Sequence, residues 1–133
     1  PVRVVNRILA EYLMRTIEAV TRLVGHPVDG LLLLHIARAN LPPEGQDPAA
    51  LAPIKSGALA VLLALPRETV RRHLQALERA DLCRRSRKGV VLAPGLLERP
   101  STAALLKENA ANVERMFARL RGLGVLAAWM TEP

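Results

Sequence analysis

The sequence predicts a mainly α-helical domain carrying one small β-hairpin. Three observations lead there. Val2 to Val24 contains no glycine or proline and is apolar at Val5, Leu9, Tyr12, Leu13, Ile17, Val20 and Val24, a helical recurrence. Val70, Leu74 and Leu77 repeat at i, i+4 and i+7, the spacing of one buried helix face. Leu82–Arg85 and Val90–Ala93 are short strand-like runs joined by SRKG, with Gly89 at the turn. At 133 residues the chain has the length of one domain with a modest core.

The first helix is stopped by Gly25 and by Pro27 just beyond, and its apolar surface is broader than one neighbour needs. Asp29 is the expected cap of a second helix, Gly30–Asn40, which is apolar almost all round and therefore central. Leu41–Pro53 holds four prolines and a glycine and reads as a surface loop. Ile54–Ala64 is helical in period, and Pro66 suits the first turn of the next helix, 66–80. Pro94 and Gly95 end the hairpin. Ser101 then caps a last helix to about Arg121, closed by Gly122 and Gly124. The organisation is an N-terminal helix over 1–25, a central unit over 28–95 and a C-terminal helix over 100–124.

On the last helix Leu106, Asn109, Val113, Met116, Leu120 and Leu123 are spaced as a short heptad seam. Such a seam serves either a subunit contact or packing on the chain's own domain. Asn109 within it points to a subunit contact, because a buried polar residue can set register. With Val5, Leu9 and Tyr12 on the first helix, these residues are the expected faces of a homodimer.

The charge is concentrated. The net charge is +7, and only Lys55, Lys88 and Lys107 of the 19 basic residues are lysine. Between Pro66 and Gly89 there are eight basic residues (Arg67, Arg71, Arg72, Arg79, Arg84, Arg85, Arg87, Lys88) against three acids, so this segment holds +5 of the surplus. A cluster of that density repels itself and is relieved by a polyanion. The helix over 66–80 therefore buries one face and offers the other, with Glu68, Arg72, Gln75 and Arg79 outward.

The order helix, helix, tight turn, helix, hairpin is that of a winged helix-turn-helix flanked by long N- and C-terminal helices. SGALAVLLALPRETVRRHLQ, Ser56–Gln75, resembles the helix-turn-helix signature. Ala60 is the small residue where the two helices meet; Leu63 and Leu65 flank the turn; Val70 and Leu74 are the apolar pair of the second helix. One departure is Ala64, at the turn position usually held by glycine, where a left-handed backbone costs ~1–2 kcal/mol. LPRETVRRHLQALERADLCRR is similar to bacterial winged-helix transcription regulators, and the flanking helices are laid out like those of MarR- and PadR-type dimers.

The resemblance implies a sequence-specific regulator of double-stranded DNA with the second helix in the major groove. Base-facing positions would be Arg67, Glu68, Arg71, Arg72 and Gln75, with Thr69 at the edge. Arg72 and Gln75 are the expected base readers, while Arg67 and Arg71 would hold phosphates. Arg84, Arg85, Arg87 and Lys88 would form a wing over 83–92, on phosphate or in the minor groove. Lys55 and Ser56 would hold another phosphate. Dimeric binding implies half-sites ~10 bp apart or a multiple of that.

Other readings stand beside these. Glu68 and Arg72 are four apart and can pair on the helix surface instead of reading a base. A winged helix can also be a protein-interaction or assembly module of a larger protein, although such a module needs no basic wing. An acidic-membrane binder is disfavoured, because the cations lie on a hairpin and not opposite an apolar face. Only Tyr12, Phe117 and Trp129 are aromatic, and none lies in the basic segment, which favours duplex DNA over base-stacking on single strands.

No enzymatic constellation is expected. There is no phosphate-binding glycine loop, nucleophile elbow or convincing acid/base pair, and His26, His35, His73 and Cys83 share no metal-binding spacing. His35 reads as a core residue. Cys83 reads as a small hydrophobe opening the first wing strand, with a thiol sensor as the alternative, since neighbouring arginines would lower its pKa. A solitary cysteine, no signal-peptide layout and no apolar run of ~20 residues fit a soluble cytoplasmic protein with no cofactor and no membrane contact. An effector, where one exists, would have to bind between the terminal helices and the winged core.

Overall fold

The computed structural model describes residues 2–42, 44 and 52–131. The chain is mainly helical with a two-stranded antiparallel hairpin. Most of the expected proline-rich loop, Leu41–Pro53, lies outside the described residues.

Helix α1 (Val2–Val24) runs as expected and stops at Gly25, whose φ of 92° leaves the helical region. Helix α2 spans Pro27–Asn40 and starts three residues earlier than the sequence suggested. Its cap is His26 and not Asp29. His26 is extended (φ −147°, ψ 137°), its Nδ1 accepts from Val28 N–H at 3.1 Å, and Pro27 follows it as the first helical residue. Proline fits that position because its fixed φ suits a helix and its missing N–H would have no partner there. Asp29 thus lies inside the first turn, 7% exposed.

Helix α3 (Ser56–Leu63) is shorter than expected at its start, because Ile54 is extended and bridges Val90. Ala64 takes the left-handed conformation (φ 52°, ψ 43°) that its turn position demands. Leu65 N–H closes the turn on the Ala60 carbonyl at 3.0 Å. Helix α4 (Arg67–Arg79) follows, with Pro66 as its cap residue. Val70, Leu74 and Leu77 are at most 1% exposed. Each such side chain contributes ~1.5–3 kcal/mol through burial, which turns the outer face of α4 to solvent by default.

Strand β1 (Cys83–Ser86) pairs with β2 (Gly89–Leu92), Cys83 opposite Leu92 and Ser86 opposite Gly89. The turn is therefore Arg87-Lys88. Gly89 has φ 132°, and a Cβ there would lie 2.7 Å from the Ile54 carbonyl oxygen. Both backbone strain and the approach of the Ile54 segment require glycine. A 3-10 turn (Leu96–Glu98) leads into helix α5 (Pro100–Gly122), whose cap residue is Arg99, not Ser101, again with proline first. A further short helix, α6 (Val125–Thr131), was not expected from the sequence.

The main core joins Leu32, Leu33 and Ile36 of α2, Leu59 and Ala60 of α3, the α4 face, and Leu82, Cys83, Val90 and Leu92 of the hairpin. Asn40 is fully buried beneath it. Its Nδ2 donates to the carbonyls of Ala52 (2.8 Å) and Val90 (3.2 Å), and its Oδ1 accepts from Leu92 N–H at 2.7 Å. One side chain thus fastens β2 to the end of α2 and to the strand-like segment before α3.

Helices α1 and α5 pack against each other, antiparallel, with ion pairs Arg22–Glu108 and Arg119–Glu11 at opposite ends. This packing takes up part of the heptad seam within one chain. Leu120 is buried at 7%, whereas Leu106 (53%) and Leu9 (43%) stay exposed. Val5, Tyr12, Asn109, Val113 and Met116 are half-buried. Among the described residues no helix is long and apolar enough to cross a membrane.

Candidate nucleic-acid interface

The basic residues are placed by three elements. Burial of Val70, Leu74 and Leu77 leaves Arg67, Glu68, Arg71 and Arg72 exposed, with Thr69 and Gln75 half-buried at the margin. Arg72 is the most open of the charged residues paired on this helix, its side chain 74% exposed.

Pairing on this face differs from the expected Glu68–Arg72 contact. Glu68 is held chiefly by Arg71, whose Nε donates to Oε2 at 2.8 Å, while Arg72 Nε stands 3.5 Å from Oε1. The hydrogen bonds from Arg71 hold the Glu68 carboxyl down at about 2. Glu68 is thus ionised at any ordinary pH, and it screens Arg71 more than Arg72. Arg72 is left as the freer cation.

The hairpin divides its cations by the pleat. Side chains alternate along a strand, so Arg85 shares the inward side of Cys83 and pairs with Glu78 at the end of α4. Arg84 is turned outward, and Arg87 and Lys88 form the exposed tip. None of these three has a carboxylate partner among the described residues.

Two contacts join the hairpin tip to α4. Lys55 Nζ donates to the Arg87 carbonyl, so Lys55 buttresses the tip instead of standing apart from it. A Cβ built on Gly57 would lie 3.4 Å from the Arg67 guanidinium, so Arg67 folds over the first turn of α3. Arg87, Lys55, the start of α3 and Arg67 therefore form one continuous line. Neither α3 nor α4 has a side-chain cap on its first amides, and uncapped amides with a helix dipole behind them favour anions.

Cys83 is 1% exposed. Burial pushes its thiol up to about 12, with Glu78 adding to the rise and Arg85 opposing it. The expected lowering by neighbouring arginines is outweighed because Arg85 is engaged with Glu78 and the sulfur is desolvated. Ellman's reagent should leave Cys83 unlabelled in the native protein at pH 8 and label it fully in denaturant. Rapid native labelling would restore a thiol-sensor role.

A second cluster had no sequence signal. His26, Asp29 and His73 come together where the start of α2 meets α4, with His73 Nδ1 2.6 Å from Asp29 Oδ1. His26 and Asp29 are three apart, but His73 is 44 positions further on, and only the α2–α4 packing unites them. His35, by contrast, is half-buried on α2 and belongs to no such group among the described residues.

No family model, no curated protein and no solved structure matches this chain.

Proposed function

We propose that this chain is a sequence-specific, double-stranded DNA-binding transcription regulator of winged-helix type, acting as a homodimer. The observation that carries the reading is the unbroken cationic line from Arg87 and Lys88 through Lys55 and the start of α3 to Arg67, with Arg71 and Arg72 beside it on α4. In this reading α4 is the recognition helix and the hairpin is the wing. Lys55, Arg67, Arg84, Arg87 and Lys88 neutralise phosphates, and Arg72 and Gln75 face base edges. Arg85, tied to Glu78, positions the wing against α4.

The dimer draws on exposed apolar residues of the terminal helices, among them Leu9, Leu13 and Met14 on α1 and Leu106 and Phe117 on α5. A monomer that leaves such a set in water gains from covering it. Leu120 is already spent inside the chain and belongs to the core.

The test is fluorescence anisotropy on duplexes enriched from a random pool, measured against a scrambled duplex across a salt series. Tight, sequence-dependent binding that weakens steeply with salt is expected. Arg72→Ala should cost about 1–3 kcal/mol and relax preference at one base pair. Unchanged affinity and unchanged preference in that variant would remove α4 from the major groove. No binding even at low salt would favour a protein-interaction module, for which Val61 (81% exposed) and Leu62 (51%) on α3 offer an apolar surface.

A further inference from the structure

The cluster of His26, Asp29 and His73 has the composition of a transition-metal site, and we infer that it binds one divalent ion of the zinc class. Each residue offers a ligand atom, and these atoms lie within 4.8 Å of one another. Two imidazoles and a carboxylate suit zinc, or cobalt and nickel, better than the hard cations calcium and magnesium, which prefer oxygen alone.

The surroundings favour a cation. Asp29 is buried, and His73 is the only basic side chain paired with it among the described residues. A carboxylate withdrawn from water needs a counter-charge, and a neutral imidazole supplies only a hydrogen bond. His73 is half-buried behind the outer face of α4, while His26 is exposed and leaves the cluster open to solvent on one side. The arrangement is three protein donors with a fourth position for water, the open type of zinc site.

Without metal the donors are engaged with one another. Asp29 Oδ1 and His73 Nδ1 are in hydrogen-bond contact at 2.6 Å, a separation shorter than two ligands of one tetrahedral ion keep. In a tetrahedral site with bonds of ~2.0–2.1 Å, donor atoms stand roughly 3.3 Å apart. Metal binding at His73 Nδ1 selects the neutral tautomer that carries its ring proton on Nε2, and the two donors move apart around the ion. His26 closes from the other side by turning about its side-chain bonds, which its exposure permits; its ring now lies 5.1 Å from that of His73, centroid to centroid.

His26 pays for coordination with its capping role. Its Nδ1 lone pair accepts from Val28 N–H. Coordination through Nδ1 uses that lone pair directly. Coordination through Nε2 requires the proton on Nδ1, which also ends the cap. Metal binding and capping are therefore alternatives at one ring, and the freed Val28 N–H passes to water. The ion in exchange cross-links the start of α2 to α4. The site is independent of whether α4 meets DNA.

The experiment exploits the fact that the chain has only three histidines. Metal-free full-length chain is titrated with Zn²⁺ while the imidazole signals are followed by NMR, with calorimetry for stoichiometry. One equivalent should move His26 and His73, leave His35 in place and raise the thermal midpoint. His26→Ser is the deciding variant, because serine keeps a good helix cap but removes a ligand. It should fold as the wild type does and bind Zn²⁺ more weakly by at least about tenfold. His35→Ala should bind as the wild type does. Equal binding by wild type and His26→Ser, uniform movement of all three histidines, or no binding at stoichiometric metal would each overturn the site.

Discussion

Asn40→Ala should lower the free energy of unfolding by about 3 kcal/mol, read as a fall in the urea midpoint with an unchanged denaturant slope. Asn40 is fully buried and makes three hydrogen bonds, to the carbonyls of Ala52 and Val90 and from Leu92 N–H. Truncation orphans the buried Leu92 N–H, at a cost of ~1–3 kcal/mol, whereas the Val90 carbonyl keeps the Ile54 N–H at 3.1 Å and the exposed Ala52 carbonyl can turn to water. Water entering the space vacated by the amide would offset part of this, which keeps the expected total near that of a single severe orphan. Asn40→Asp should not rescue, since a carboxylate accepts from Leu92 but cannot donate to the two carbonyls. Asn109 supplies the internal comparison. Its Oδ1 is buried with no partner among the described residues, so Asn109→Leu should cost little or stabilise. If Asn40→Ala and Asn109→Leu shift the midpoint alike, the asparagine fastening at β2 is not what holds the hairpin.

The contrast between these asparagines shows what was legible in the sequence. Local periodicity marks α1, α2 and the buried face of α4, because a helix registers every residue against its neighbours three and four away. The left-handed turn at Ala64 follows from the resemblance to the helix-turn-helix signature, and the hairpin is legible locally, although Gly89 opens β2 opposite Ser86 and leaves the turn itself to Arg87 and Lys88. Asn40 looked only like the last residue of a helix. Its partners lie 12, 50 and 52 positions away, and no spacing rule reaches that far. The apolar neighbours of Ile54 continue a helical period, yet its backbone is claimed by Val90. The cap at His26 has no clear sequence signal, because serine, aspartate and asparagine dominate that position and Asp29 is close by. On the basic face the residue types and the exposure of Glu68, Arg72 and Arg79 follow from the helical period, whereas the half-burial of Gln75 and the pairings of Glu68 with Arg71 and of Arg85 with Glu78 depend on packing, rotamers and strand alternation that only the fold decides.

Those pairings shape the second large effect. Replacing Arg84, Arg87 and Lys88 together by alanine should weaken binding to every duplex by roughly 10²–10³-fold at ~0.1 M salt and reduce the salt slope by about 2.7. The estimate follows from counterion release. Each neutralised phosphate contributes ~0.9 to the slope, or close to tenfold in affinity at that salt concentration, and the three residues are the hairpin cations without a carboxylate partner among the described residues. The fold should survive, because all three side chains are exposed and the strand pairing is carried by backbone groups and by Val90 and Leu92 beneath. Arg85→Ala should behave in the opposite manner. It would change affinity far less, and it would disturb stability by releasing Glu78, half-buried at the end of α4. Lys55→Ala lies between the two, since its ammonium both supports the Arg87 carbonyl and keeps donors free for a phosphate. A salt slope that is unchanged in the triple variant but reduced in Arg85→Ala would mean that the hairpin meets no phosphate through its tip. The cationic line would then have to be redrawn along α4 alone, where Arg72 is the side chain best placed to carry it.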